Sequence, residues 1–236
     1  MKAVLFDLDG TLLPLDVEGF PRVYLGALAT RMAKRGYDPK AFVDGIWQGT
    51  AAMMKNDGAA TNEEVFWRTF AGILGEEVRK EEGELDAFYR EEFDAFRAVC
   101  GFLPEAGKTV KAVKQMGVTV ALATNPIFPA IATEKRIAWA GLDRSDFALV
   151  TTYENSRYSK PNPAYYLDVA ERIGVRPEDC VMVGNDATED LAARQAGMDV
   201  FLLVGGLLNR KGVDISGVPQ GGFGELLAYL RAGCDE

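Results

Sequence analysis

Four short stretches of this 236-residue chain carry side chains that can do chemistry together. Asp7-Leu8-Asp9-Gly10-Thr11 closes an apolar run that starts at Ala3. Thr124-Asn125 closes a second run over residues 118–123, and Gly184-Asn185-Asp186 closes another over residues 180–183, with Asp190 four residues after Asp186. Lys160 stands directly before Pro161-Asn162-Pro163. If the runs are parallel strands, these are their carboxyl ends, where open α/β sheets bind ligands. Several carboxylates and one lysine then share one rim. Clustered carboxylates raise one another's proton affinity unless a cation neutralises them. Oxygen ligands completed by water and phosphate suit Mg2+ better than zinc or copper. The chain has no histidine, which excludes a histidine triad and imidazole-based metal sites and leaves acid–base work to carboxylates, lysine or tyrosine. A lysine beside a hydroxyl and an amide reads as a cradle for a phosphoryl group.

Those residues need a rigid frame. Runs at 3–8, 118–123, 180–183 and 200–204, with a weaker one at 147–151, are nearly continuous in apolar residues, as strands covered on both faces are. Helical patterns at 105–116, 130–140, 164–173 and 189–196 separate the later ones. This alternation predicts right-handed crossovers and a parallel sheet with helices on both faces. Residues 15–102 differ, showing helical periodicity alone: Tyr24, Leu25, Leu28, Ala29 and Met32; then Phe42, Ile46 and Met53; then Val65, Phe66, Phe70 and Ile73; then Leu85, Phe88, Phe93 and Phe96. Turn formers break the pattern at 36–39, at 56–58 and near Gly75. The expected architecture is an α/β, Rossmann-like doubly wound parallel sheet core from residues 1–14 and 103–236, with an all-helical domain of residues 15–102 inserted after the first strand.

Composition narrows the partners. Hydrophobic residues at 48% and charged ones at 26% exclude disordered and fibrous architectures. Lys and Arg total 26 against 35 Asp and Glu, and the formal charge of -9 disfavours nucleic acid and anionic membranes, leaving small molecules and metal cations. Cys100, Cys180 and Cys234 lie far apart without CxxC spacing, so neither a zinc knuckle nor a disulfide framework is expected. No stretch approaches the roughly 18 apolar residues of a membrane span. Two aspartates interrupt the N-terminal apolar run, so the cytoplasm is the expected compartment, with a monomer or homodimer as the expected state.

In order, the four stretches resemble the motifs of the haloacid dehalogenase-like hydrolase superfamily, whose members are mostly phosphatases and phosphotransferases. Asp7-Leu8-Asp9-Gly10-Thr11 matches the first motif, Thr124 the second, Lys160 the third, and Gly184-Asn185-Asp186 through Asp190 the fourth. With the helical insert, the resemblance covers nearly the whole chain. The fourth motif departs from a common form that has aspartate directly after the glycine. Asn185 stands there instead, and Asp186 and Asp190 reproduce aspartates four apart, which leaves open which of the two is the closer metal ligand.

The resemblance implies that Asp7 is a nucleophile forming an aspartyl-phosphate. It implies that Asp9 protonates the leaving oxygen and then activates water. Mg2+ would be held by Asp7, the Asp9 carbonyl and Asp186. Thr124, the Asn125 backbone and Lys160 would hold the phosphate, supported by Gly10, Thr11 and Asp190, the last orienting Lys160 or a metal-bound water. An aspartate at position 9 favours phosphate esters over carbon–halogen and phosphonate substrates. The helical block reads as a cap, and Phe128 and Pro129 either flank the pocket or simply pack. The implied function is Mg-dependent hydrolysis of a small phosphorylated metabolite. The alternatives are a phosphomutase or phosphotransferase of the same superfamily, against which the absence of histidine counts, and a non-catalytic small-molecule-binding or regulatory protein on the same fold.

Overall fold

Six parallel strands in the order β3-β2-β1-β4-β5-β6 form the sheet of this computed structural model, which describes residues 1–16 and 19–234. β1 (Ala3–Phe6) lies between β2 (Thr119–Leu122) and β4 (Cys180–Gly184). β3 (Leu149–Val150) extends one wing, and β5 (Asp199–Leu203) and β6 (Gln220–Gly221) the other. Along β1, Val4 and Phe6 enter one buried cluster while Ala3 and Leu5 enter another, the two-residue period of a strand. Because both faces are covered, such strands read as unbroken apolar runs.

Between β1 and β2 the chain forms α1 (Gly19–Ala33), α2 (Pro39–Met53), α3 (Asn62–Leu74) and α4 (Glu82–Glu91), followed by α5 (Pro104–Gln115). Short 3-10 turns at Glu76–Glu81 and Phe93–Val99 flank α4. The starts are chemically marked. Asp38 caps α2 by accepting from Ala41 N at 2.8 Å, with Pro39 in the first turn, and Thr61 and Glu64 form a capping box on α3. Most of the expected faces are buried, including Tyr24, Leu28, Met32, Phe42, Phe70, Phe88 and Phe93. Ile73 is the exception, at 40% exposure, because the buried stripe of α3 runs through Phe66, Trp67, Phe70 and Ala71.

After β2 come α6 (Ala130–Trp139), α7 (Pro163–Arg172) and α8 (Phe223–Ala232). α5 and α8 cover one face through Val110, Val113, Leu226 and Leu230, and α7 covers the other through Tyr165, Tyr166 and Val169. The first of these clusters continues unbroken into the helical insert, where Phe93 stacks on Trp139 of α6 at 5.1 Å. The two connections to the insert run side by side, with Leu15 bridged to Cys100 and Gly101 N donating to Pro14 O at 2.8 Å.

Three features depart from the sequence expectation. Two of them, β6 and α8, lie beyond residue 204, where no element is predicted; β6 is a two-residue Gln-Gly pair without an apolar run. The third is the helix expected at 189–196, which forms as a 3-10 segment, Asp190–Ala196, closed by Gly197 at φ +88°. Among the described residues no helix is long and apolar enough to cross a membrane.

Candidate active site

From β1 the chain proceeds to one wing of the sheet and then to the other, so the crevice beyond β1 and β4 is the topological switch point. Asp7 follows β1 directly and Asn185 follows β4. Gly10 turns the first loop with φ +84°, and a Cβ there would lie 2.4 Å from Asn185 Nδ2, so only glycine lets the two loops close together. Asn185 fastens this contact: its Oδ1 lies 2.8 Å from Thr11 Oγ1 and its Nδ2 donates to Gly206 O at 2.8 Å. The residue that departs from the common fourth motif thus ties three loops together.

Beneath these loops sits a buried charge network. Lys160 Nζ, fully buried, donates to Asp7 Oδ1 at 2.9 Å and to Asp190 Oδ1 at 2.6 Å. Asp190 Oδ2 accepts from the backbone N–H of Asn185 and of Asp186, both at 2.9 Å. Gly184 is required beside it, since a Cβ there would lie 2.0 Å from Asp190 Oδ2. Thr11 Oγ1 stands 3.3 Å from the second Asp7 oxygen. Burial, reinforced by Asp190 and Asp9 and opposed by Lys160, pushes the Asp7 carboxyl up to about 7. Burial also works against the Lys160 ammonium, yet Asp190 and Asp7 hold it charged, above the usual lysine range.

Asp186 belongs to the same crevice. Its Oδ1 accepts from Thr188 N at 2.6 Å and Glu189 N at 2.9 Å, which fixes its carboxylate at the head of the turn after β4. Asp7, Asp9, Thr124, Asn125 and Asp186 all line one cleft of about 250 Å³, to which the helical insert contributes Phe20, Pro21 and Trp47. The Thr124 carbonyl is anchored by Thr151 Oγ1 at 2.7 Å and Tyr165 OH at 2.8 Å. The Asn125 side chain is engaged with Glu189 Oε2 at 3.1 Å. Among the described residues no three His, Cys, Asp or Glu side chains cluster tightly enough to hold a metal by themselves. Of the carboxylates that line the cleft, Asp7 and Asp186, together with backbone oxygen, make a donor set that fits a hard ion keeping several waters or substrate oxygens.

Three participants escape sequence reasoning. Glu189 lines the cleft, and burial pushes its carboxyl to about 7. Arg136 of α6 is buried and pairs with Asp9; its one available signal was an arginine within the stripe Ala132, Thr133, Ile137, Ala140. Asn62, at the first turn of α3, is wholly buried and donates to Pro126 O at 3.0 Å, Ser159 Oγ at 3.1 Å and Tyr158 O at 3.3 Å. It pins the insert to the loops that carry Asn125 and Lys160. Asn62→Ala is expected to lower the melting temperature by roughly 3–10 °C, from about 1–3 kcal/mol of orphaned polar groups. It is also expected to raise KM by loosening both loops; thermal melts alongside steady-state kinetics check this, and an unchanged melt removes the pin.

Comparison with known proteins shows the chain's family and fold. A family model described as haloacid dehalogenase-like hydrolase matches residues 1–197. A phosphoglycolate phosphatase of Xylella fastidiosa strain 9a5c is 30% identical over 208 residues, covering 87% of this chain and 81% of the relative. A ribulose-1,5-bisphosphate 5-phosphatase of Halopiger xanaduensis is 28% identical over 211 residues, covering 85% and 83%. Among solved structures, a 2-haloacid dehalogenase of Pseudomonas syringae pv. Tomato DC3000 superposes with a TM-score of 0.62 at 22% identity, covering 99% of each chain, a likeness of fold.

Proposed function

Since the chain belongs to the haloacid dehalogenase-like hydrolase family, we propose that it is a phosphatase that hydrolyses a phosphate monoester of a small metabolite through an aspartyl-phosphate on Asp7. The observation that carries this reading is the placement of Asp7 against the cleft, bridged by Lys160 to Asp190, with Asp9 in the same cleft wall. A carboxylate attacks phosphorus without prior deprotonation of a hydroxyl. Asp7 forms the new P–O bond as the ester bond breaks, and the proton held by Asp9 goes to the departing oxygen. Water then attacks the aspartyl-phosphate, its proton returns to Asp9, and Asp7 is released. Lys160 with the Thr124 and Asn125 loop holds the equatorial oxygens, where transition-state charge collects.

Asp7, the Asp9 carbonyl and Asp186 are the residues that would hold Mg2+, which supplies charge neutralisation between an anionic nucleophile and an anionic substrate. Asp186 is the better ligand than Asp190 in this reading, because both oxygens of Asp190 are already committed to Lys160 and to backbone N–H groups. The helical block, residues 15–102, serves as a cap that excludes water and contacts the leaving group through Phe20, Pro21 and Trp47. The names of the relatives make two-carbon acid phosphates and sugar phosphates the first substrates to screen. Cys100, Cys180 and Cys234 are unpaired, and the cytoplasm is the compartment we propose.

The test is release of p-nitrophenol from p-nitrophenyl phosphate with Mg2+ and with excess EDTA, followed by the metabolite panel. Mg2+-dependent release supports the reading, and a folded protein inert towards every substrate overturns it. Proton and metal compete for the same Asp7 carboxyl, which burial raises to about 7. Apparent Mg2+ affinity is therefore expected to fall about tenfold per pH unit below that value and to level off above it. Calorimetric titration at pH 5.5, 6.5 and 8 measures this, and a flat profile contradicts it.

A further inference from the structure

The mechanism leaves one buried ion pair unused. Arg136 donates through Nη1 to Asp9 Oδ2, and its guanidinium lies over the Phe128 ring at 4.0 Å from the centroid. Nε donates to Ala132 O and Nη2 to Thr133 Oγ1, both at 3.3 Å, so the fork is held on its own helix before it meets Asp9. An arginine 1% exposed is tolerated in such a place only when paired and hydrogen-bonded. Held by those two helix bonds and by Phe128, the guanidinium meets Asp9 through a single nitrogen from a fixed direction, which a flexible lysine ammonium does not supply. The other Asp9 oxygen, Oδ1, is buried and has no partner among the described residues, although Asp9 lines the cleft beside Asp7.

We propose that Arg136 is a positioning residue for Asp9: it clamps Oδ2 so that Oδ1 is the oxygen that delivers the proton to the leaving group and takes it back from water. The inference rests on the phosphatase reading given above. Oδ1 carries the proton to the ester oxygen as the P–O bond to the leaving group breaks, and receives one from the attacking water as the bond to Asp7 breaks. Arg136 itself gains and loses nothing. Phe128, packed under the guanidinium and lining the cleft, completes the clamp. α6 thereby links the second strand to a loop of the first, and among the described residues it supplies the sole side-chain partner of the Asp9 carboxylate.

Leaving-group dependence separates positioning from packing. p-Nitrophenyl phosphate and phenyl phosphate have nearly the same shape, but only the more basic phenoxide needs a proton as it departs. Arg136→Lys is expected to lower kcat on phenyl phosphate at least about tenfold more than on p-nitrophenyl phosphate, with KM little changed, as general acid catalysis is worth roughly 100- to 10,000-fold. Asp9→Asn should show the same pattern more strongly, and adding Arg136→Lys to it should change nothing further. Thr133→Val removes one of the fork's helix contacts and should give a weaker version of the signature if Arg136→Lys fails to fold. Equal losses on both substrates, or additive losses with Asp9→Asn, overturn the clamp while leaving the phosphatase reading standing. A wild-type protein that cleaves neither substrate fails at the earlier step and takes the clamp with it.

Discussion

Asp7→Asn is expected to abolish turnover, lowering kcat by at least about ten-thousand-fold, while the protein stays as stable as the parent or becomes more so at pH 8 without Mg2+. Asparagine keeps the shape of the side chain but cannot form an acyl phosphate. The stability half of the prediction follows from linkage. The Asp7 carboxyl sits at about 7 in the folded protein against an ordinary value of 3.8, so the folded state binds the proton more tightly than the unfolded one. That contribution is fully present below about pH 4 and is lost as pH rises through about 7, which leaves at pH 8 a buried anion whose burial Lys160 only partly offsets. Removing the charge relieves it. Melts at pH 5 and pH 8 should therefore show the variant gaining on the parent as pH rises. A variant that melts well below the parent at pH 8 would mean that the ion pair with Lys160 outweighs burial. Retained turnover would remove Asp7 as the nucleophile.

The legibility of this site in the sequence follows from where its residues stand. Asp7, Thr124 and Asn185 each end an apolar run, and a parallel sheet brings such ends together without further information. Lys160 was readable only through its place among the motifs, because no strand ends at it and its burial depends on Asp7 and Asp190 approaching from elsewhere. Asn185 and Asp186 were legible as residues, but their division of labour was not, since it depends on which side chain faces the Gly10 turn. Arg136 and Asn62 are the harder cases. Each is a polar residue on a helix whose partner lies at a sequence distance of 127 and 64 to 97 residues respectively, and no local pattern encodes such a contact. β6 is a two-residue Gln-Gly pair with no apolar run to reveal it, whereas α8 buries Leu226 and Leu230 at a helical spacing that the sequence does show.

Several of these contacts work against stability on their own. Asp7 and Glu189 are carboxyls raised by burial beside other carboxylates, and Asn125 Oδ1 is buried without a partner among the described residues. A core selected for packing alone would place apolar side chains there. The strain is local to the strand ends, while β1 beneath them is wholly apolar: Val4, Leu5 and Phe6 are completely buried, as are Leu122 and Val183 in the flanking strands. A buried apolar strand thus carries a crevice whose charges, in the proposed mechanism, a cation and a phosphoryl group would balance.

The balance hinges on Lys160 and Asp190, and removing either alone is expected to be severe. Asp190→Ala leaves the Asn185 and Asp186 N–H groups without their acceptor and gives buried Lys160 a single counterion. Breaking a buried pair in this way costs about 3–5 kcal/mol, or roughly 6–20 °C in melting temperature for a chain of this size. Lys160→Met does comparable damage by the opposite route, since it sets Asp7 and Asp190 together in a buried site with no cation between them. The paired substitution Asp190→Ala with Lys160→Met removes the mismatched charges together, so its loss should fall short of the sum by about 1–3 kcal/mol. Activity is not expected to recover in step, because in the proposed mechanism Lys160 is also the cation that meets the phosphoryl oxygens. A double variant that melts near the parent yet stays inactive separates the two roles of Lys160. If the two losses in stability simply add, then Lys160 and Asp190 are not acting as a pair, and the network that orients the crevice has to be sought elsewhere, beginning with the hydroxyl of Tyr166, which donates to Glu189 O at 2.6 Å beside it.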